Sequence, residues 1–393
     1  MLSFRFFLDE RFGLSAAWVG FFMVLDNIAA LLIQPGVGAW SDRLRTPIGR
    51  RMPFILIGAP IGAAVFGFIP MAAALPLFSA CTITLLLSMA LWRAPVVALM
   101  PDITPSRYRS QANGIINFMG GLGALISFFI GSMLFRVNES YPFWLGSGLV
   151  LVAVLLVFIF IKEPKEYEDL PREATPDIIE SIKLVLKEDE KSPLRILLAI
   201  FFWFVSYNAI EAFFTLYGVN HLGLGKADAV LQLGFFSLTF LIFALPAGYI
   251  GGRVGRKKTI MVGILLMMFM ILSIRFFPAE LLSGVVLTIP GLGRLMVVGA
   301  MLMGAGLSWA LININSLPMV VDMTSDARVG TYTGLYYFAA TLAAIAGPVI
   351  FGWVVQFGGN NYNLVMLFSP IFMVVAFIMM IGVRRGEAKA VDG

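Results

Sequence analysis

Three ionisable side chains stand inside long apolar runs of this 393-residue chain. They are Asp26 in MVLDNIAALLIQP, Arg93 in SMALWRAPVVALMPD and Glu211 in FWFVSYNAIEAFF. A charge at mid-membrane costs about 2.5–3.5 kcal/mol on insertion scales, so such residues mark ion paths, ligand contacts or internal pairs. Asp26, near Asn27 and Gln34, is placed either to take up and release a proton or to hydrogen-bond a neighbouring helix. Arg93, beside Trp92, needs a counter-charge or a ligand that supplies oxygens; otherwise it snorkels to the interface. Trp203, Tyr207 and Glu211 recur at i, i+4 and i+8 and so share a helix face, with Asn208 adjacent. An aromatic ring, an amide and a carboxylate together suit a sugar, whose apolar face packs on rings and whose hydroxyls meet polar groups. The alternative is a wet helix–helix contact. Trp309, Asn313 and Ser316, with Asn315 beside them, form a similar stripe, and Tyr332 with Tyr336 another. Together these stripes predict a polar cavity between the two halves of the chain.

The elements that hold these residues follow from composition. Hydrophobic residues make up 59% of the chain and charged residues 13%, against about 25% charged in soluble domains. The apolar residues fall in blocks of about 20, the length a helix needs to cross ~30 Å of hydrocarbon. With no water to satisfy the backbone, such blocks must be helices, and the ~10-residue alternation of a membrane barrel is absent. Eleven spans are expected, at 15–40, 52–73, 76–99, 111–135, 142–162, 194–218, 228–250, 259–277, 293–321, 330–357 and 363–383. The single Cys81 excludes an intrachain disulfide. Of the 28 Lys and Arg, 21 sit in one set of alternate loops and six in the other, so the net charge of +5 is no nucleic-acid signal. The positive-inside rule makes the richer side and the C-terminus cytoplasmic, in a multi-pass protein of the cell membrane. Eleven spans then put Met1 outside, and the start MLSFRFFLDERFG has no apolar core for a cleavable signal.

A charged loop, 163–193, separates an N-terminal bundle (1–162, five spans) from a C-terminal bundle (194–393, six spans). Within the loop, Thr175 is a candidate N-cap with Pro176 at the first helical position. Ile178, Ile179, Ile182, Val185 and Leu186 follow a helical period, which fits a helix on the membrane surface or a solvated linker helix. The two bundles repeat. GAWSDRLRTPIGRR (38–51) answers GYIGGRVGRKK (248–258), and an offset of 220 pairs Asp102 with Asp322, Thr104 with Thr324, Gly114 with Gly334 and Phe118 with Phe338. Asp102 and Asp322 end repeat-related spans, which predicts matched capping roles. FFTLYGVNHLGLG (213–225) corresponds to SFRFFLDERFGLS (3–15), and the former follows a full apolar span whereas the latter follows two residues. The first half therefore lacks its first helix, and the recorded start is expected to be displaced or the chain to be a fragment.

The loop residues Gly38, Asp42, Arg43, Gly49, Arg50 and Arg51 resemble the signature loop of the major facilitator superfamily. The degenerate copy at 248–258 strengthens the match, although Gly252 stands where the first loop has Asp42. The spacing SDRLRTPIGRRMPFI resembles the branch of plant sucrose–proton symporters and glycoside–pentoside–hexuronide transporters. The resemblance covers almost the whole chain. It implies an all-α membrane fold of two pseudo-symmetric bundles, twelve helices in the family against eleven here. It implies alternating-access transport of a sugar, a glucoside or disaccharide, with a small-molecule substrate and a proton as partners besides the bilayer, and with no cofactor. Sodium-coupled melibiose-type relatives carry acidic residues one and five positions before the proline matching Pro35. Here those positions are Gln34 and Ala30, which favours proton coupling through Asp26. Plant sucrose symporters place a substrate-contacting arginine five residues before the aspartate matching Asp102, where this chain has Val97, one turn after Arg93. Asp42 matches a family aspartate that gates the loop by pairing across the halves. A non-sugar solute, such as a drug or organic ion, and a non-transporting receptor are the competing readings. No His/Glu metal pair, serine nucleophile motif or redox cysteine pair is present, so the chain reads as no enzyme. His221, the single histidine, falls in an outer loop, and Asn138–Ser140 fits the glycosylation pattern there.

Overall fold

A computed structural model of the chain describes residues 14–103, 109–163, 178–324 and 329–387. Among the described residues, eleven helices are long and apolar enough to span a bilayer. They are α1 (Ala16–Arg43), α2 (Met52–Phe68, extended by a 3-10 turn at Ile69–Met71), α3 (Leu75–Ile103), α4 (Arg109–Val137), α5 (Tyr141–Phe160), α7 (Ser192–Asn220), α8 (Lys226–Val254), α9 (Arg256–Phe276), α11 (Val297–Val321), α12 (Val329–Phe357) and α13 (Asn363–Ile381). Between them lie the linker helix α6 (Ile178–Lys187), a short helix α10 (Ala279–Leu282) and a hairpin of β1 (Val285–Ile289) and β2 (Gly293–Met296). The predicted cap Thr175 and Pro176 lie outside the described residues.

The hairpin corrects one expected span. Residues 293–296 were expected to open the helix of 293–321, but they pair antiparallel with β1, and the helix begins at Val297. The run is apolar enough to read as a span. However, Gly291 and Gly293 take positive φ of 77° and 140°, which turns the chain back on itself. Gln232 of α8 holds the hairpin down, donating to the Arg294 carbonyl (3.0 Å) and accepting from the Met296 N–H (3.1 Å). Arg294 also pairs with Asp228 at 2.9 Å.

The described chain forms two compact units, one of residues 22–170 and one of residues 15–21 with 171–393, apart from the first residues. In the first unit small residues let helices meet closely. Ser88 of α3 donates to the Gly58 carbonyl of α2 (2.5 Å), and Ser147 of α5 donates to the Ala63 carbonyl (2.7 Å). In the second unit the Asn315 amide of α11 donates to the Ala247 carbonyl of α8 (3.1 Å). A Cβ on Gly251 would run into that amide.

Each unit closes one end with the same arrangement. In the first, Arg50 and Arg51 meet Asp102 at 2.7 and 2.9 Å, and Ser41 also bonds Arg51. The Glu163 carboxylate, after α5, accepts the N–H groups of Arg50, Arg51 and Met52 at 2.7–3.1 Å. These are donors that the first turn of α2 leaves unpaired, and a carboxylate there also meets the positive end of the helix dipole. In the second unit Arg256 pairs with Asp322, and Glu387 accepts from Arg256 N (2.6 Å) and Lys257 N (3.2 Å). Gly49 and Gly255, at φ of 112° and 105°, turn the chain in front of these carboxylates. Asp322 is the C-cap residue of α11, its N–H bonded to the Pro318 carbonyl, whereas Asp102 lies inside the last turn of α3; the role the two share is an ion pair with arginine. They sit at helix C-termini, where a carboxylate opposes the dipole and gains more from an arginine.

Candidate functional site

In the second unit, α7 and α11 bring an aromatic group together. The rings of Tyr207 and Trp309 stack with centroids 4.0 Å apart and planes 3° from parallel. Phe204 meets Trp309 edge-on at 5.1 Å and Tyr336 of α12 at 6.4 Å, while Phe236 of α8 leans on Tyr207 at 6.0 Å. The Tyr207 hydroxyl bonds Glu211, one turn farther along α7. The hydroxyls of Tyr336 and Ser316 lie 3.0 Å apart. Rings, a carboxylate and three hydroxyls thus converge from four helices.

The face that does this differs from the expected one. Trp203 is fully buried, and its indole N–H has no hydrogen-bond partner. Phe204 takes its place. At 100° per residue, Phe204, Tyr207 and Glu211 fall within about 60° of one another, whereas Trp203 lies about 80° from Glu211. The i, i+3, i+7 spacing was the signal that the i, i+4, i+8 reading passed over. Asn208 spends its amide on the Phe204 carbonyl (2.7 Å). The Asn313 carbonyl accepts from Ser316 at 2.8 Å. Asn315 is a buried tie between helices. Tyr332 leaves the expected stripe with Tyr336 and donates instead to Glu188, past the end of α6, at 2.5 Å.

In the first unit, Asp26 lies midway along α1 with one carboxylate oxygen buried and lacking a hydrogen-bond partner. Arg93 of α3 interacts with it electrostatically and is itself exposed. Trp92 packs against Gly58 of α2, where an added Cβ would meet it at 2.9 Å, so it serves helix packing. In the loop, the Gly38 carbonyl accepts from Ser41 (2.9 Å), Arg43 is exposed, and the Asp42 side chain lies outside the described residues. The carboxylates Glu163 and Glu387 were missed, because nothing in their local sequence names a partner in another loop. His221 stacks on Tyr217 with centroids 5.2 Å apart; burial and then Arg275 lower its tendency to hold a proton. The Asn138 side chain accepts from the Ser140 N–H at 2.8 Å. Among the described residues no group of three or more His, Cys, Asp or Glu could hold a metal.

The profile of the Major Facilitator Superfamily matches residues 2–279 and, in a second match, 229–393. The chain belongs to this superfamily. It is 24% identical to a hexuronate transporter of Bacillus subtilis, over 90% of this chain and 83% of the relative. To the class E tetracycline resistance protein of Escherichia coli it is 26% identical, over 63% of this chain and 60% of that one. A short stretch, 15% of this chain and 10% of the relative, is 39% identical to the sucrose transport protein SUC3 of Arabidopsis thaliana. The matches thus span only 10–60% of the length of such curated relatives as the tetracycline and sucrose proteins. Among solved structures, the nucleoside transporter NupG superposes with a TM-score of 0.76 at 16% identity, covering 98% of this chain and 95% of that one. A D-xylose–proton symporter gives 0.65 at 17% identity, covering 94% and 91%. These likenesses establish the superfamily fold in a multi-pass membrane protein.

Proposed function

We propose that this protein is a secondary transporter, not an enzyme, and that it carries a sugar or glycoside together with a proton by alternating access. The observation that carries this reading is the Tyr207–Trp309 stack with Glu211 bonded to the tyrosine. Stacked rings offer a pyranose an apolar face, and the carboxylate accepts from its hydroxyls. At 4.0 Å the two rings fill each other's faces, so a sugar binds by parting them or by lying against their free edge. Tyr336, Ser316, Asn208 and Asn313 supply further polar groups from the same unit. Asp26, with Arg93 as its electrostatic partner, is the proposed proton-coupling carboxylate, since a charge in hydrocarbon is tolerated only where it is used or paired. Relatives and structural neighbours whose names refer to hexuronate, alpha-glucoside, sucrose and xylose support a sugar-like substrate.

Uptake of labelled disaccharides and hexuronates by proteoliposomes, with and without a pH gradient, tests the reading. The expected result is saturable uptake that the gradient drives above equilibrium. Asp26→Asn is expected to abolish gradient-driven accumulation while leaving counterflow exchange, because an amide does not carry the proton. Accumulation unchanged in Asp26→Asn removes the coupling assignment. A second reading, extrusion of an amphiphilic drug, is favoured by the tetracycline and multidrug resistance relatives. It predicts drug resistance in cells expressing the chain and no sugar uptake.

A further inference from the structure

In the second unit α7 and α13 pack antiparallel, and ring pairs fix their register: Phe202 meets Phe372 at 6.2 Å and Phe213 meets Tyr362 at 6.3 Å. Ser206 follows Phe202 by one turn on α7, and Ser369 precedes Phe372 by one turn on α13. At the helical rise and twist, the serines share a level to within about 1.5 Å, and each lies within about 60° of the rings that meet the other helix. Both are fully buried. Elsewhere in this unit Ser308, Thr239 and Thr259 donate to the carbonyl one turn back, at 2.7–3.0 Å. Ser206 and Ser369 do not, and each hydroxyl is buried without a partner. One turn before Ser206, the fully buried Trp203 adds an indole N–H that is also without one. Pro370, next to Ser369, has no N–H, so the carbonyl of the fully buried Met366 loses its usual helical partner.

Unpaired polar groups in an apolar core cost free energy, and native folds pair them with protein groups or with ordered water. These groups differ in kind. The hydroxyls donate or accept, the carbonyl accepts, and the indole N–H donates. A cation would be opposed by the N–H, and an anion by the carbonyl. No charged residue stands on α13, and α7 has only Arg195, near its start, and Glu211, about 140° round the helix from Ser206. An ion at this level would go without a counter-charge. Water both donates and accepts, which suits the set. The large ring pairs on either side hold the two helices apart, and the short serines between them leave room at their level.

We infer that this level of the α7–α13 contact is a binding site for ordered water, which bridges the hydroxyls of Ser206 and Ser369 and donates to the Met366 carbonyl. The Trp203 N–H extends the polar patch by one turn. The site ties the two helices together beside Pro370, on the side of α7 turned away from Glu211, and is independent of the proposed sugar site.

The test uses the full chain in nanodiscs, exposed to brief X-ray pulses and mapped by mass spectrometry. Hydroxyl radicals formed from a bound water oxidise the side chains beside it, buried or not. Met373, one turn beyond Ser369, is the reporter, and Met380, farther along the same face of α13 and equally buried, is the reference. Met373 is expected to oxidise several-fold faster than Met380, and the double variant Ser206→Ala with Ser369→Ala to remove the difference. Each variant deletes a single oxygen and leaves the packing. Thermal unfolding supplies the second readout. Each single variant is expected to lower the midpoint by about 2–4 °C, and the double by less than their sum, because the hydroxyls share one ligand. Hydroxyls that bind nothing would give the opposite sign, since deleting an unpartnered buried hydroxyl is neutral or stabilising. Midpoints unchanged or raised by the single variants, or Met373 oxidising no faster than Met380, overturn the site. A lowered midpoint with Met373 unlabelled would mean that the serines bond each other directly, which also overturns it.

Discussion

Replacing Glu163 with alanine should unfasten the start of α2. Its carboxylate accepts from three consecutive backbone N–H groups, with the closest contact 2.7 Å from Met52 N, and it is 9% exposed. A hydrogen bond to a charged group contributes about 1.5–3 kcal/mol, and a carboxylate at a helix N-terminus a further ~0.3–1 kcal/mol. The three contacts share one carboxylate and are not additive, so the loss is expected at about 2–4 kcal/mol. Glu163→Gln keeps one acceptor oxygen and the shape but loses the charge, and should cost about half as much. Glu387→Ala, at the matching but exposed site, should cost about 0.5–1 kcal/mol, as solvent replaces the lost acceptor. For unfolding units of this size the first loss lowers the midpoint by about 3–10 °C. Thermal unfolding in detergent, followed by the fluorescence of the seven tryptophans, separates these cases. Equal shifts for Glu163→Ala and Glu387→Ala, or no shift for the former, refute the claim that burial makes the first carboxylate the stronger tie.

Gly251→Ala places a methyl group in the Asn315 amide and should destabilise by about 1–3 kcal/mol, read as a lower unfolding midpoint that Asn315→Ala partly restores. Burial alone would raise the Glu190 carboxyl, but hydrogen bonds from Ser192 and the pair with Arg385 outweigh it and hold it below its ordinary value of 4.5. Its contribution is therefore full above about pH 4.5 and lost as pH falls below that value, so hydrogen exchange around residues 383–387 should quicken between pH 5 and pH 3 and stay flat above. Tyr207→Phe keeps the stack with Trp309 and removes the hydroxyl that Glu211 holds. In the uptake assay it should raise KM more than Trp309→Phe does if Glu211 is positioned through the tyrosine, and equal effects sink that idea.

The helices themselves are written in the sequence, because a span depends on a local property, a run of about 20 apolar residues between charged loops. The repeat was legible for the same reason: matched residues keep a constant offset wherever no segment is inserted. The rest needed the third dimension. Asp102 reads as a helix end until Arg50 and Arg51, about 50 residues earlier in the chain, are seen at 2.7 and 2.9 Å. Glu163 reads as one charge in a loop until it meets three N–H groups more than 100 residues away. On α7 the sequence offers two neighbouring aromatic residues, about 100° apart around the helix and on either side of Tyr207. The packing of α11 against α7 decides that Phe204 joins Tyr207 and Trp309 while Trp203 is fully buried. The hairpin of β1 and β2 was hidden by its own hydrophobicity, since Val, Leu and Ile suit a span and a strand alike. Apolar content is local and survives in a list of letters, whereas the partner of a charge or a ring is chosen by the approach of distant segments.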